Sequence, residues 1–166
     1  KYVAWCFKGS NTTTSISASG SQLASEQRAN TESGFSIVKY TGSGNSGDTV
    51  LHGLNSKPQL SIIKNLDNTG GTDWDVSFDG ITGGTSLNLD TDRAVFSPTQ
   101  GYHVADATSL TLNSGGSGVT RVNTLNEDYI AYCFHSVTNY QKVGSYQGTG
   151  ITDSFTGFGF QPRWIM

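Results

Sequence analysis

Apolar and aromatic residues occur along the chain in short runs that are separated by polar, glycine-rich segments. Short runs of β-branched and aromatic residues, bounded by Gly, Asn, Asp and Ser, are typical of strands joined by tight turns. The separating segments include GSGNSG at 42–47, DNTGG at 67–71 and NSGGSG at 113–118. The pattern predicts strands at 2–7, 35–40, 49–51, 59–64, 74–78, 86–89, 94–96, 109–112, 129–134, 141–146 and 163–166.

The segment YIAYCF at 129–134 is apolar on both faces of the strand that it predicts. Successive side chains of a strand point to opposite faces, so Tyr129, Ala131 and Cys133 share one face. The alternate residues Ile130, Tyr132 and Phe134 share the other face. We therefore expect a strand buried on both sides, either at the centre of a sandwich or against a neighbouring unit.

Three blocks of sequence occur twice in the same order, which indicates an internal repeat. YVAWCF at 2–7 matches YIAYCF at 129–134, and GFSIVKYTGSG at 34–44 matches NYQKVGSYQGTG at 139–150. HGLNSKPQLSII at 52–63 matches GFGFQPRWIM at 157–166, with Pro58 against Pro162. The repeat predicts the last strand of a preceding unit plus a Ser/Thr-rich linker at 1–33, a β-sandwich module at 34–137, and the opening strands of a next unit at 138–166.

The segment 8–33 follows the first block and contains no aromatic residue. It is an insertion relative to the second copy, and its Ser/Thr-rich composition is typical of a linker or a surface excursion. Its centre, at 22–29, favours one short helical turn. Ile16 and Leu23 are the large apolar residues between positions 10 and 31, so we expect this part to pack less densely than the strands.

Composition favours an all-β chain, because Gly, Ser, Thr and Asn make up nearly half of the residues and good helix formers are scarce. Many short strands with Gly/Ser/Thr-rich loops predict an antiparallel, jelly-roll-like β-sandwich. The net charge of −3 does not provide the basic surface that nucleic acids require. The sequence contains no apolar run of membrane-spanning length and no signal-like opening segment, so we expect no membrane insertion.

The cysteines and histidines have no metal-site or catalytic spacing. Cys6 and Cys133 are equivalent positions of two copies, so each is expected to lie in its own strand, with similar surroundings and without a bond between them. His52, His103 and His135 lie far apart in sequence, and the first and last of them suit surface or hinge positions. GxSxG and phosphate-binding loop motifs are also missing, so we expect no catalytic residue, no metal and no cofactor.

The densest acidic region is NLDNTGGTDWDVSFDG at 65–80. Asp73 and Asp75 flank Trp74 and point to the same side of the predicted strand, which indicates a solvated face. Paired carboxylates can bind calcium or act as the acid and base of a glycosidase, but the calcium-loop pattern is absent. If these two aspartates bind a carbohydrate, Trp74 and Tyr102 are the candidates for an aromatic platform beside them.

The blocks resemble a repeat found in structural and tail-fibre-like proteins of marine tailed phages. The resemblance rests on YVAWCFK, GFSIVKYTGSG, KPQLSIIKN, YIAYCF, YQKVGSYQGTG and GFGFQPRWIM, and it is clearest over 34–166. It implies a virion appendage or decoration protein, built of tandem β-sandwich modules and exposed on an extracellular particle. The family offers no catalytic residues to carry over, and the region 89–112 departs from its usual pattern.

The sequence therefore favours a non-enzymatic structural module of a phage tail fibre or other virion appendage, with a contribution to host-surface attachment. Its expected partners are other copies of itself, because a strand with two apolar faces and an apolar C-terminal block both need cover. The expected contact residues are Phe158, Phe160, Trp164, Ile165 and Met166. The alternative is a lectin-like module that binds a host cell-surface glycan through Trp74, Tyr102, Asp73 and Asp75. A polysaccharide depolymerase ranks third, since the sequence proposes no suitable carboxylate pair.

Overall fold

The computed structural model describes residues 6–67, 73–81, 83–99, 101–113, 121–152, 154, 156–162 and 165. In this part of the chain the strands are β1 (Thr14–Ile16), β2 (Ser25–Asn30), β3 (Phe35–Thr41), β4 (Asp48–Leu51), β5 (Leu60–Asn65), β6 (Asp75–Phe78), β7 (Leu87–Asn88), β8 (Tyr102–Ala105), β9 (Ser109–Asn113) and β10 (Asp128–Phe134). One antiparallel sheet has the order β1-β2-β3-β10-β5-β6-β7, and the second has the order β4-β9-β8. The predicted antiparallel β-sandwich is confirmed. The described residues include no helix long and apolar enough to cross a membrane.

Strand β10 occupies the centre of the larger sheet, between β3 and β5. Tyr129 lies opposite Tyr40 on one side and Asn65 on the other. Tyr129, with the alternate residues Ala131 and Cys133, is fully buried on the face toward the smaller sheet. On the opposite face, Phe134 and Tyr132 belong to a second apolar cluster, and Ile130 is half-buried. The prediction of a strand buried on both faces is therefore confirmed for the face toward the smaller sheet, whereas on the other face Phe134 is buried and the two residues before it in alternation are half-buried.

The main core lies between the two sheets. Its fully buried side chains include Val38, Val50, Ile63, Leu110, Leu112, Val122, Tyr129, Ala131 and Cys133. The rings of Tyr40 and Tyr129 stack with centres 5.2 Å apart. The Tyr40 hydroxyl donates to the Val122 carbonyl at 2.6 Å, and the Thr124 amide donates to the Tyr129 hydroxyl at 2.8 Å. These bonds satisfy the polar ends of two aromatic side chains that supply much of the buried apolar area.

The opposite face of the larger sheet carries a second apolar cluster, which we call the outer face. Its buried members are Phe35, Ile62, Val76 and Phe134, and its half-buried members are Ile37, Leu60, Trp74, Leu87, Tyr132 and Val143. The Phe7 ring lies over this face, 5.3 Å from Phe35 and 5.2 Å from Phe134 between ring centres. Phe7, which precedes the first strand, and Val143, which follows the last strand, thus both pack against the outer face.

The prediction of a linker at 8–33 is wrong for the residues that form β1 and β2. Strand β2 pairs with β3 from Ser25 opposite Tyr40 to Asn30 opposite Phe35, and it occupies the position predicted for a helical turn. Ser25, Gln27 and Ala29 share the face of β2 toward the core, where Ser25 is buried and the other two are half-buried. As expected, most residues in 10–31 remain exposed or half-buried.

Several other strand predictions differ from the structure. Residues 94–96 contribute one bridge, from Phe96 to Ser86, and residues 141–146 contribute one bridge, from Gln141 to Val137. Strand β8 was not predicted. The predicted strands at 2–7 and 163–166 lie mostly outside the described residues.

The two cysteines are both free, but their surroundings differ. Cys133 is buried in β10, whereas Cys6 is exposed and lies outside any described strand. The predicted similarity of their environments is therefore wrong. Cys6 and Phe7 therefore do not reproduce the position that Cys133 and Phe134 occupy at the centre of the sheet.

Candidate functional site

A network of buried polar side chains connects the two sheets. His103 of β8 lies between Asp75 of β6 and Ser61 of β5. Its Nδ1 is 2.8 Å from Asp75 Oδ2, and its Nε2 is 2.8 Å from Ser61 Oγ. Since an ionised carboxylate can only accept, Nδ1–H donates to Asp75, and in the neutral ring Nε2 accepts from the Ser61 hydroxyl. All three residues are at most 1% exposed.

Arg121 binds the other oxygen of the Asp75 carboxylate. Its Nε donates to Asp75 Oδ1 at 3.1 Å, while its two terminal nitrogens donate to Asp73 at 3.2 Å and to Asn88 at 2.5 Å. The Arg121 side chain is 5% exposed, and its guanidinium carbon lies 5.2 Å from the centre of the Phe96 ring. A buried carboxylate is tolerated when it is both paired and hydrogen-bonded, and Arg121 provides both for Asp75.

The hydrogen-bonded group Asp75–His103–Ser61 has the connectivity of a hydrolase triad. Its burial between the two sheets, however, favours a structural role. Ser61 lies inside β5, which is hydrogen-bonded to β10 on one side and to β6 on the other. A nucleophilic serine needs access to a substrate carbonyl and free donors for the developing oxyanion. Neither is available to a buried serine within a fully paired strand. The network instead joins β5 and β6 of one sheet to β8 of the other.

A cleft of about 100 Å³ lies beside His103. Lys57 and Asp79, both on its lining, form an ion pair at 2.5 Å. Pockets that bind drug-sized ligands usually measure about 300–1,000 Å³, so this cleft has room for a small group rather than a sugar chain. Nor does any group of three His, Cys, Asp or Glu side chains in the described residues have the placement to hold a metal ion.

The four residues predicted to bind carbohydrate do not form one surface. Asp73 and Asp75 point to the same side, as predicted, but that side faces the interior, and Asp75 is fully buried. The prediction of a solvated face is therefore wrong for Asp75. Trp74 points to the outer face and stacks on Tyr132 with ring centres 6.2 Å apart. Tyr102 is half-buried in β8 of the smaller sheet.

His52 is fully buried, so its predicted surface or hinge position is wrong. The Leu54 amide donates to His52 Nδ1 at 3.1 Å, and Nε2 lies 3.3 Å from the Asp106 carbonyl oxygen. With Nδ1 accepting, the ring proton resides on Nε2 and donates to that carbonyl. Burial lowers the pKa of His52, because the charged form loses hydration. His135 is half-buried at the end of β10.

The predicted self-association residues belong to an irregular C-terminal segment. Phe158 and Phe160 are half-buried and contact each other, with ring centres 6.3 Å apart. Ile165 is 66% exposed, whereas Trp164 and Met166 lie outside the described residues. The same segment also contains the exposed side chains Tyr140, Tyr146 and Ile151.

The sequence did not predict the network around Asp75. The signal for His103 is its alternation with Ala105, which places both on one face of a strand, but β8 follows a region without regular alternation. Ser61 lies on a strand that was predicted, where it resembles any small core residue. Arg121 follows a Gly/Ser-rich run and carries no sequence signal for a partner far away in the chain.

Comparison with known proteins places the chain in a family without supplying an activity. The chain matches no curated protein and no solved structure at a significant level. A family model with the description "Domain of unknown function (DUF7483)" matches residues 1–166, which is the whole sequence. The chain therefore belongs to the DUF7483 domain family.

Proposed function

We propose that this chain is a non-enzymatic structural module of a virion appendage, such as a phage tail fibre or a decoration protein, that assembles with further copies of itself. The observation that carries the proposal is the apolar outer face of the larger sheet, which continues into a C-terminal segment with exposed apolar side chains. Ile151 is 79% exposed and Ile165 is 66% exposed. Burying such a side chain contributes about 1.5–3 kcal/mol, which would favour contact between copies that bury several of them.

The placement on a virion rests on the repeated blocks and their resemblance to tail-fibre-like repeats. A charge-poor sandwich with Gly/Ser/Thr-rich loops suits an extended assembly, in which each module supplies length and the loops contact the host surface. The burial of Ser61 and His103 supports the non-enzymatic part of the proposal, because the one triad-like group in the described residues is enclosed between the sheets.

Sedimentation velocity over a series of protein concentrations tests the self-assembly. We expect species larger than the monomer, and we expect Ile151→Ser combined with Ile165→Ser to shift the distribution toward the monomer. Val95→Ser provides a matched control, because Val95 is also exposed, at 48%, but lies in another part of the chain. A soluble monomer at every concentration, with ordered termini, would rule out the proposal.

A glycan-binding role is the second candidate, and the half-buried stack of Trp74 on Tyr132 favours it. Aromatic rings at a partly exposed surface are suitable platforms for the apolar face of a sugar. A glycan array tests this role. Binding that disappears in Trp74→Ala, but persists in Tyr102→Ala, would identify the outer face as the glycan surface, whereas an array without hits excludes this candidate.

A further inference from the structure

The two sheets end in four edge strands, and three of these edges carry covering contacts. Thr49 of β4 is hydrogen-bonded through both its N–H and its carbonyl to the segment 21–23. In β8, His103 is 1% exposed, so its backbone is closed to a partner strand. Next to β7, Ser86 and Phe96 exchange two backbone hydrogen bonds. The fourth edge, β1, has a different environment.

The alternation of hydrogen bonds across the larger sheet shows which backbone groups of β1 face outward. The bonds of Gly34 and Gly42 extend the ladder between β3 and β10, so the even-numbered residues of β3 bond to β10. Its odd-numbered residues then bond to β2, because bonding direction alternates along an antiparallel strand. Through the registers of β2, this places the bonds of Thr14 and Ile16 toward β2. The N–H and carbonyl of Ser15 therefore point away from the sheet.

The outer side of β1 is accessible and has no protective residues. Ser15 is exposed, and within the part of the chain that the structure describes its outward N–H and carbonyl have no hydrogen-bond partner. Edge strands of natural proteins are commonly protected by charged residues, proline or a bulge. The segment 9–25 contains neither a charged residue nor a proline. This edge is therefore open to the addition of a strand.

We propose that β1 pairs with β1 of a second copy of this chain, in an antiparallel arrangement about a two-fold axis that passes between the two Ser15 residues. The inference rests on the proposed self-assembly and specifies a surface for it. The contact joins two seven-stranded sheets into one continuous sheet. It is isologous, because each copy contributes the same strand, and it uses none of the C-terminal side chains.

Full overlap of the two three-residue strands determines the register. Ser15 lies opposite Ser15 of the second copy, and each N–H donates to the carbonyl of the other, which satisfies both groups that are unpaired in the single chain. Thr14 of one copy lies opposite Ile16 of the other. These side chains share the face of Gln27 and Ser25, so the half-buried Ile16 gains cover from the added strand.

The absence of charge on β1 indicates that the partner has an identical edge. Two copies of a charged edge would place like charges directly opposite each other, which is destabilising. Glu26 lies opposite Ser15 on β2, and Lys39 lies opposite Glu26 on β3. In the paired sheets the two Glu26 residues are three strand spacings apart, about 14 Å. This separation exceeds the Debye length of about 8 Å at physiological ionic strength, so their repulsion is largely screened.

Disulfide trapping at the two-fold axis tests the pairing and its register. Hydrogen-bonded opposite residues have Cα atoms about 5.5 Å apart, within the range of about 4.4–6.8 Å that a disulfide spans. The exposed Cys6 is first replaced in Cys6→Ser, and Ser15→Cys or Ser17→Cys is added to that background. Ser17 is a matched control, because it is also an exposed serine but is displaced from its copy by about 13 Å along the strands. We expect several-fold more covalent dimer from Ser15→Cys under mild oxidation.

Charge variants at the same position test the pairing without a covalent bond. Ser15→Lys and Ser15→Glu each bring like charges together at the axis, so each should lower the average sedimentation coefficient relative to the wild-type chain. An equimolar mixture of the two variants should restore it, because Lys then lies opposite Glu. Ser17→Lys, with the same change in net charge as Ser15→Lys, should have a smaller effect. Circular dichroism of each variant confirms that the fold is retained.

The results distinguish this inference from the proposed function. Equal cross-linking of Ser15→Cys and Ser17→Cys overturns the pairing of β1, as does a folded Ser15→Lys chain that sediments like the wild type. If the wild-type chain still forms species larger than the monomer in either case, self-assembly stands and uses another surface. A wild-type chain that remains monomeric at every concentration contradicts the proposed function itself.

Discussion

Replacing Arg121 with methionine is expected to destabilise the sandwich strongly. Asp75 is fully buried and keeps only its His103 contact on one oxygen when the guanidinium is removed from the other. Removing one partner of a buried ion pair typically costs about 3–5 kcal/mol, because the remaining charge is left uncompensated. Domains usually have about 5–15 kcal/mol of total stability, so the variant would lose a large fraction of it. Methionine keeps an unbranched apolar side chain at this position while it removes the guanidinium.

The measurement is urea unfolding followed by tryptophan fluorescence, with thermal unfolding as a second probe. For a chain of this length, a loss of that size lowers the Tm by roughly 6–20 °C. Arg93→Met is the matched control, because the Arg93 guanidinium carbon lies 3.7 Å from the centre of the same Phe96 ring but on an exposed side chain. Its effect should remain within about 0.5 kcal/mol.

A second variant separates the loss of charge compensation from the loss of packing. Adding Asp75→Asn to Arg121→Met removes the uncompensated charge, so we expect the double variant to be more stable than Arg121→Met alone. The interpretation of the network would be refuted if Arg121→Met and Arg93→Met had equal effects, or if the double variant showed no recovery.

Three further results are expected. In the folded protein one thiol per chain should react with Ellman's reagent, because Cys6 is exposed whereas burial raises the pKa of the Cys133 thiol to about 12. The urea midpoint should fall as the pH decreases below about 6.5. Burial lowers the pKa of His52 in the folded state, so the unfolded state binds the proton more readily in this pH range. The variant His52→Gln should reduce this dependence. Gly42→Ala should prevent folding or lower the Tm sharply, as measured by circular dichroism, because a Cβ at this position would clash with the Thr124 carbonyl oxygen.

Each of these results has a direct control. Both thiols should react in guanidinium chloride, and a second reactive thiol in buffer would contradict the burial of Cys133. An unchanged pH profile in His52→Gln would assign the dependence to other groups. Gly83→Ala should leave the Tm unchanged, because a Cβ there meets nothing within 4 Å.

The sequence was sufficient to predict the fold class and the centre of the larger sheet. Strand β10 was predictable because the segment YIAYCF places apolar or aromatic residues on both faces of the strand. Strands β1 and β2 were not, since edge strands near solvent need few large apolar residues, and Ser25 or Gln27 resembles a linker residue. The strand conformation of such a polar edge segment comes from its pairing with β3, which is a tertiary contact and not a local preference.

The buried network was beyond prediction for a different reason. Asp73 and Asp75 were correctly placed on one side of their strand, but alternation does not say whether that side faces water or a second sheet. Asp75 can be buried because it binds Arg121, which lies more than forty residues later in the chain. The sequence around Arg121 does not indicate this contact. Phe158 and Phe160 were predicted as contact residues between copies, and within the chain their rings contact each other.

The position of β10 at the centre of the larger sheet has a consequence for synthesis. Its partners β3 and β5 emerge from the ribosome long before it does, so two strands wait with their inner edges unsatisfied until residues 128–134 are available. Sheets closed by such distant pairings fold slowly, and open edges invite pairing with the wrong chain during that interval. A nascent chain arrested before β10 should therefore be protease-sensitive and prone to aggregation. Until β10 is available, a similar strand from a neighbouring chain could pair with β3 and β5 in its place.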